Sequence, residues 1–229
     1  MPRAFLVLDG QHRLWGYQKC SQRHRVPVAI YEGLSRAEEA RLFIDINTNQ
    51  RGVPAALLLD IKHLAEIESS REQILREMFD RLQRDAKSPL AGKLSATKSL
   101  SGKISRVTFN KALSTAIGSG ILFEADEPTR YKLVLNYLNA FEAELPDKRL
   151  LQKSAFFEAI FETIDEVVRS TMALHGNAKK ESIQRVIRPL ASLDFGKGAI
   201  GKTLPSKKAI VALMQTALRK NLPISEELL

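Results

Sequence analysis

Residues 9 to 13 combine side chains and a backbone pattern suited to binding phosphate. The segment reads Asp9-Gly10-Gln11-His12-Arg13 and lies between an apolar run and a predicted helix. A helix start exposes backbone N–H groups without helical partners, and the helix dipole favours an anion there. Gly10 permits close approach of a phosphate, while His12 and Arg13 add hydrogen-bond donors. Asp9 is suited to holding a metal ion or a ribose.

The same residues also allow a purely structural role. In that alternative, Asp9 caps the helix and Arg13 pairs with a carboxylate at the surface. The residue types and their spacing are compatible with both roles, so both remain open at this point.

Two apolar runs are predicted to position the segment. Residues 4–8 (AFLVL) are typical of a buried strand that ends in a tight turn at Asp9-Gly10. Residues 26–31 (VPVAIY) predict a second strand, in which Pro27 suits an edge or first-residue position. With a helix after each strand, the first ~50 residues form a small α/β unit.

Helices are predicted over most of the chain. The first covers 11–22, and the second starts at the capping-box sequence Ser35 to Glu38 and ends around 47–50. Beyond Gly52 the sequence predicts no strand. Further helices follow in this order: from Pro54, 71–84, 107–117, 128–145, 150–175, 179–187 and 206–220.

The motif residues resemble those of a known family. The string DGQHR at 9–13 is similar to the signature of the DGQHR-domain family, which includes DndB-like proteins of DNA phosphorothioation gene clusters. Residues 43–50 (FIDINTNQ) resemble that family's F-x-x-I-N-x-x-Q element at its spacing, and 88–93 (SPLAGK) is a looser match. The resemblance is strong over 5–52, extends to about Phe109 and is thin beyond.

The resemblance implies a ParB/sulfiredoxin-like α/β unit followed by a helical region. In that superfamily the corresponding strand-to-helix motif binds nucleoside triphosphates. Residues 9–13 would then bind a nucleotide, and Asn47, Asn49 and Gln50 would close the site from the second helix. A nucleoside triphosphate with magnesium is the implied ligand, and hydrolysis of that nucleotide is the implied reaction. No general base is evident, so an enzymatic activity stays undecided.

One departure from the family concerns its sheet. In the similar proteins a sheet-forming segment precedes the motif strand, whereas four residues precede it here. Either the chain is the C-terminal part of a longer protein, or its sheet is truncated or completed by a partner. Homo-oligomerisation is a related expectation.

The charge distribution predicts contact with DNA. The formal net charge is +9, and residues 86–123 contain no acid. A second basic stretch covers 179–220. Ser105 to Leu113 also resembles the recognition segment of a helix-turn-helix. The candidate DNA-binding residues are Lys98, Lys103, Arg106 and Lys111. The alternative is that these basic residues form an ordinary solvated surface.

Other patterns narrow the classes of protein. Cys20 is the single cysteine, so a disulfide within the chain and a thiolate metal site are not expected. No apolar run approaches membrane-span length, and we expect a cytoplasmic protein without a membrane partner. Residues 196–203 (GKGAIGKT) satisfy the P-loop pattern. The poor strand before them and Pro205 after them predict a flexible loop instead.

Together these features predict a mainly helical α+β protein. The expected domains are a partial ParB-like α/β module over 1–51 and a helical domain over 52–229. The expected function is a nucleotide- and DNA-linked regulatory or accessory role in bacterial DNA modification or defence. Two alternatives remain, a non-catalytic DNA-binding transcriptional regulator and a helical interaction scaffold.

Overall fold

The computed structural model describes residues 5–50, 53–96, 99–193, 195 and 204–219, without the side chains of 48–50. The chain divides into two compact units, Met1–Glu68 and Ser69–Leu229. The described residues are mostly helical and include a small two-stranded parallel sheet. This confirms the predicted mainly helical α+β class.

The first unit contains three of the predicted helices. They are α1 (Gln11–Gln18), α2 (Arg36–Gln50) and α3 (Ala55–Leu64). The capping box that starts α2 is present: Ser35 Oγ accepts from the Glu38 N–H at 3.3 Å, and Glu38 Oε2 accepts from the Ser35 N–H at 2.8 Å. Helix α3 lies in this unit, whereas the sequence placed it in the helical domain.

The two strands predicted for this unit are not formed. Residues 5–8 and 26–31 are irregular and largely exposed in the described part of the chain. A strand needs a neighbour that accepts and donates its backbone hydrogen bonds, and no described segment pairs with either run. The prediction of strands at these two runs is therefore wrong for the described residues, because apolar composition alone does not supply a pairing partner.

The second unit is a helical bundle with a minimal sheet. Its elements are α4 (Ser70–Arg84), β1 (Leu94–Ser95), β2 (Ile104–Ser105), α5 (Arg106–Gly118), α6 (Glu127–Glu144), a 3₁₀ helix (Lys148–Gln152), α7 (Ser154–Glu162), α8 (Ile164–His175), α9 (Lys180–Ile187), a second 3₁₀ helix (Arg188–Ser192) and α10 (Lys207–Arg219). The strands are parallel, with Leu94 opposite Ile104. The prediction of no strand beyond Gly52 is wrong, because runs of two residues are too short for any hydrophobic period to mark them.

Short polar side chains start α4, α5 and α6 in this unit. Ser69 Oγ accepts from the Glu72 N–H at 3.2 Å, and Glu72 completes a capping box at α4. Ser105 caps α5 through the Thr108 N–H at 3.1 Å, and Asp126 caps α6. These bonds satisfy backbone donors that the helix itself leaves without partners. The hydrogen bonds that Asp126 accepts from Thr129 also lower the pKa of its carboxyl group.

Aromatic rings in contact form the centre of the second unit. Phe109 lies with its ring centroid 5.3 Å from that of Phe79 and 6.0 Å from that of Phe157. Phe157 in turn lies 5.0 Å from Phe161, which contacts Tyr137 at 5.8 Å. All five rings are buried and come from α4, α5, α6 and α7. The chain of rings therefore connects four helices that are distant in sequence.

The single helix predicted over 150–175 is wrong, because it is broken at Thr163. The Thr163 hydroxyl donates to the carbonyl oxygens of Ala159 at 3.4 Å and Ile160 at 3.1 Å. The buried Tyr137 hydroxyl also donates to the Ile160 oxygen, at 2.5 Å. Side chains thus take acceptors that a continuous helix would use, and α7 and α8 become separate helices. Hydrophobic periodicity continues across the break, so it gave no sign of the interruption.

We predict that Phe109→Ala destabilises the protein by about 3–5 kcal/mol, because it leaves a cavity between Phe79 and Phe157. Chemical denaturation followed by circular dichroism measures the change in the free energy of unfolding. The matched control is Phe123→Ala, since Phe123 is 58% exposed and should change stability by less than about 0.5 kcal/mol. Similar losses for the two variants would contradict the assignment of Phe109 to the core.

Candidate functional site

The motif segment forms the start of α1. Gly10 is the N-cap residue and has a φ of 87°, in the left-handed region that favours glycine. Its carbonyl oxygen accepts from the Leu14 N–H at 3.0 Å, which is the first bond of the helix. No side chain of the described residues caps this helix. The N–H groups of the first turn are therefore available to an external acceptor.

Asp9 and Arg13 form an ion pair beside this helix start. Arg13 Nη2 donates to Asp9 Oδ2 at 2.9 Å, and the Arg13 side chain remains 66% exposed. One half of the alternative structural role, the ion pair of Arg13, is therefore present. Arg13 does pair with a surface carboxylate, but Asp9 does not cap α1, because Gly10 occupies the N-cap position. An exposed pair of this kind contributes little to stability, so exchanging the carboxylate for another anion has a low cost.

Gln11 and His12 frame the motif on its apolar side. The Gln11 side-chain amide donates to the Val7 carbonyl oxygen at 3.3 Å. The His12 ring meets the Trp15 ring edge-on, with centroids 6.0 Å apart. An open groove of about 350 Å³ lies here, lined by Leu6, Val7, Gln11, Leu14 and Trp15. Its apolar and aromatic lining next to α1 is suited to a flat ring such as a nucleobase.

The residues expected from the second helix are less well placed. The Asn47 amide nitrogen donates to the carbonyl oxygen of Phe43, four residues earlier in α2, at 2.8 Å. In the part of the chain that the structure describes, no hydrogen bond joins Asn47 to residues 9–13. The side chains of Asn49 and Gln50 lie outside the described residues. The described contacts therefore assemble residues 9–13 but do not extend the site to α2.

The candidate DNA-binding residues differ in their surroundings. Lys111 is paired with Glu158 at 2.7 Å. Arg106 is only 9% exposed, and its guanidinium lies over the Phe79 ring at 5.4 Å from the centroid. Lys103 is half-buried at the entry to β2 and makes no ion pair with any described residue. Lys98 and the P-loop-like residues 196–203 lie outside the described residues.

Helix α5 does not present a recognition face at its start. The Ser105 and Thr108 hydroxyl oxygens lie 3.0 Å apart and are used in capping the helix. Six of its 13 residues are buried and are distributed along its whole length: Arg106, Phe109, Ala112, Leu113, Ala116 and Ile117. A recognition helix needs a row of exposed side chains that reach base edges, so the contacts of α5 favour a structural role.

A groove of charged residues that was not predicted from the sequence lies along α4. The groove has a volume of about 450 Å³ and is lined by Arg76, Glu77, Asp80, Arg81, Arg84 and Asp85. Arg81 lies over the Tyr131 ring at 3.7 Å and pairs with Glu127 at 2.5 Å. Arg84 pairs with Asp80 at 3.6 Å. Opposite charges spaced four residues apart in α4 are the sequence pattern that could have revealed this groove. Because its charges are of both signs, the groove has little preference for anions.

Among the described residues, no three His, Cys, Asp or Glu side chains form a cluster able to hold a metal ion. None of the described helices combines the length and apolar composition needed to cross a membrane. A comparison with protein-family models found no match, and searches of curated proteins and of solved structures found none either. The functional interpretation therefore rests on the motif residues and their geometry.

We predict that Tyr131→Phe raises the pKa of the Asp85 carboxyl group. The Tyr131 hydroxyl donates to Asp85 Oδ2 at 2.6 Å, and this bond lowers the pKa by stabilising the carboxylate. Because a lowered pKa adds stability that is lost as pH falls through it, the variant should also lose less stability on acidification. Carbon-detected NMR titration of the aspartates provides the measurement.

Asp126 serves as the internal control in the same spectra. Its pKa is lowered by Thr129 rather than by Tyr131, so it should not change in the variant. An unchanged Asp85 titration would show that the hydroxyl does not stabilise its carboxylate.

Proposed function

We propose that the chain is a nucleotide-binding protein of the DGQHR type that acts with DNA, as a regulatory or accessory component of bacterial DNA modification or defence. The single observation that supports it best is the uncapped start of α1, where Gly10 and the exposed Arg13 provide donors at one place. The resemblance of residues 9–13 and 43–50 to the family motifs supplies the class of ligand. The ParB-like character of the first unit is part of this proposal.

The geometry indicates how a triphosphate would bind. Phosphate oxygens accept from the backbone N–H groups at the α1 start and from the Arg13 guanidinium, which then leaves Asp9. The base lies against the apolar groove that includes Trp15. His12 adds a donor at the same end of the helix.

Asp9 is the residue that would hold magnesium. A carboxylate together with phosphate oxygens is a usual ligand set for this ion, and Asp9 is released once Arg13 turns to the phosphate. Bound magnesium would neutralise phosphate charge. A hydrolytic reaction would further require a group that activates water, and no described contact of residues 9–13 identifies one.

We predict that Arg13→Ala weakens binding of a nucleoside triphosphate by about tenfold to a hundredfold, as expected for loss of a charge-assisted hydrogen bond. Isothermal titration with ATP, GTP and CTP in the presence of magnesium measures the affinity. Arg84→Ala is the matched control. Arg84 also forms an exposed pair with a carboxylate four residues earlier, so removing it changes charge and helix contacts similarly.

Asp9→Asn then separates two roles of Asp9. If Asp9 only competes for Arg13, the variant should bind nucleotide more tightly, with or without magnesium. If Asp9 holds the ion, magnesium-dependent binding should weaken. Absence of binding by the parent protein at millimolar nucleotide, or equal loss in Arg13→Ala and Arg84→Ala, would contradict the proposed site.

The DNA part of the proposal rests on basic residues that form no ion pair within the described part of the chain. Lys103 and the exposed Lys87 make no ion pair with any described residue, in contrast to Lys111 and Lys93, which pair with Glu158 and Glu142. The proposed DNA-binding residues are therefore Lys103 and Lys87, and Arg106 is not among them because it is buried. Such contacts bind phosphate without reading sequence.

We predict that Lys103→Ala lowers affinity for every duplex tested and reduces the slope of log affinity against log salt by about 0.9, the value for one lost phosphate contact. Fluorescence anisotropy at several salt concentrations measures both quantities. Arg169→Ala is the control, because it removes one exposed positive charge from α8 in the acid-rich part of the chain. Equal slopes for the two variants would favour a general charge effect over a contact by Lys103.

A further inference from the structure

The described apolar side chains of the first unit are almost all exposed or only half-buried. Among its described apolar residues, Ala65 alone is buried. Large side chains that a small domain would normally enclose are in solvent, including Phe5 and Leu6 at about 70% exposure and Val28 at 73%. A unit without a core of its own has little to offset the entropy of ordering its chain. Its apolar surface therefore calls for a partner.

One part of that surface has the sequence pattern of an unpaired strand. Residues 23–32 (RHRVPVAIYE) contain no helix, turn or bend, and Gly33 follows with a φ of 71°. The backbone groups of this run make no hydrogen bond within the described part of the chain. Val26, Val28 and Ile30 alternate along it and are all exposed. Alternating apolar residues on a free backbone edge are suited to β-pairing.

We propose that residues 23–32 pair antiparallel with the same residues of a second copy of this chain, across a two-fold axis at Val28. This dimer goes beyond the nucleotide and DNA functions proposed above and does not depend on them. In a two-fold dimer each contact between different residues occurs twice, so every favourable pair within the segment contributes twice to dimer stability.

The pairing register favours a second copy of the chain as the partner, because residues 23–32 match themselves when two copies pair antiparallel. With Val28 opposite Val28, Val26 lies opposite Ile30 on the same face, and the apolar side chains meet one another. On that face His24 lies opposite Glu32, and on the other face Arg25 lies opposite Tyr31. The basic end of the run, at Arg23 and Arg25, thus lies beside the acidic end of the other copy, at Glu32, which gives charge complementarity between two copies.

Pro27 fits this register as well. It lies opposite Ala29, at a position where the paired residues exchange no hydrogen bonds, so its missing N–H group is not needed. Val28 then occupies the hydrogen-bonded position at the axis. Moving the axis to Ala29 places Val26 opposite Glu32, and moving it to Pro27 places Ile30 opposite His24. Both shifts oppose an apolar to a polar side chain.

Cysteine cross-linking tests the register. In the full chain with Cys20→Ser, Val28→Cys brings two thiols to Cα atoms about 5.5 Å apart, within disulfide range. Ala29→Cys is the matched control. Its thiols belong to diagonal neighbours, whose Cα atoms are about 7–8 Å apart and therefore beyond that range. We expect Val28→Cys to form a disulfide-linked dimer under mild oxidation and Ala29→Cys to stay largely monomeric on a non-reducing gel.

Sedimentation equilibrium tests the dimer itself. Val28→Glu sets two carboxylates opposite each other and should raise the dissociation constant at least tenfold. Leu64→Glu makes the same change of charge at a site of the same unit that is 75% exposed but outside the run, and should leave the constant unchanged. Glu32→Lys should weaken the dimer, and adding His24→Glu should restore it by re-forming the pair in reverse.

Several results would contradict the proposed dimer. A monomeric parent protein at all accessible concentrations would overturn the proposal and leave the run to a different partner. So would cross-linking of Ala29→Cys equal to that of Val28→Cys, a dimer unaffected by Val28→Glu, or a failure of His24→Glu to rescue Glu32→Lys. Circular dichroism confirms that each variant remains folded.

Discussion

The contact of buried aromatic rings around Phe109 is the interaction on which the second unit depends. Helices α4, α5, α6 and α7 each contribute a ring to one connected cluster. The Tyr137 ring belongs to that cluster, while its hydroxyl bonds the Ile160 carbonyl where α7 ends. Burial raises the pKa of Tyr137, so this hydroxyl stays protonated and keeps its donor at physiological pH. Tyr137 therefore contributes both to the packing of the helices, through its ring, and to the end of α7, through its hydroxyl.

The first unit is organised by a different constraint, the local chemistry at the start of α1. Gly10 takes the left-handed conformation and leaves the first turn without a capping side chain. Arg13 then reaches back to Asp9. The ion pair and the uncapped donors occupy the same few residues, so an anion that binds the donors also competes for Arg13. Ligand binding and release of Asp9 would therefore be coupled.

Most helices could be predicted from the sequence, because capping residues and periodicity act locally. Ser35, Ser69 and Asp126 each start a helix as such residues usually do. Interactions between distant residues could not be predicted in this way. The break at Thr163 depends on Tyr137, which is 26 positions earlier, and the two-residue strands depend on their mutual pairing.

The candidate site was predictable to a similar extent. Residues 9–13 stand at a helix start as expected, since the motif and the glycine act locally. The burial of Arg106 and the pairing of Lys111 with Glu158 depend on how α5 packs against α4 and α7, which charge counting does not register. The two strand predictions in the first unit failed because a strand forms only when it pairs with a second segment. An apolar pattern in one segment does not show whether such a partner exists.

Nucleotide binding at the start of α1 is tested most directly by a nucleotide titration followed by amide NMR of the isotope-labelled full chain. We expect the largest chemical-shift changes on adding ATP, GTP or CTP with magnesium at the backbone N–H groups of Gln11, His12 and Arg13, with a smaller change at the Trp15 indole. Changes confined to other parts of the chain, or no change at millimolar nucleotide, would contradict the claim that the start of α1 is a phosphate-binding site.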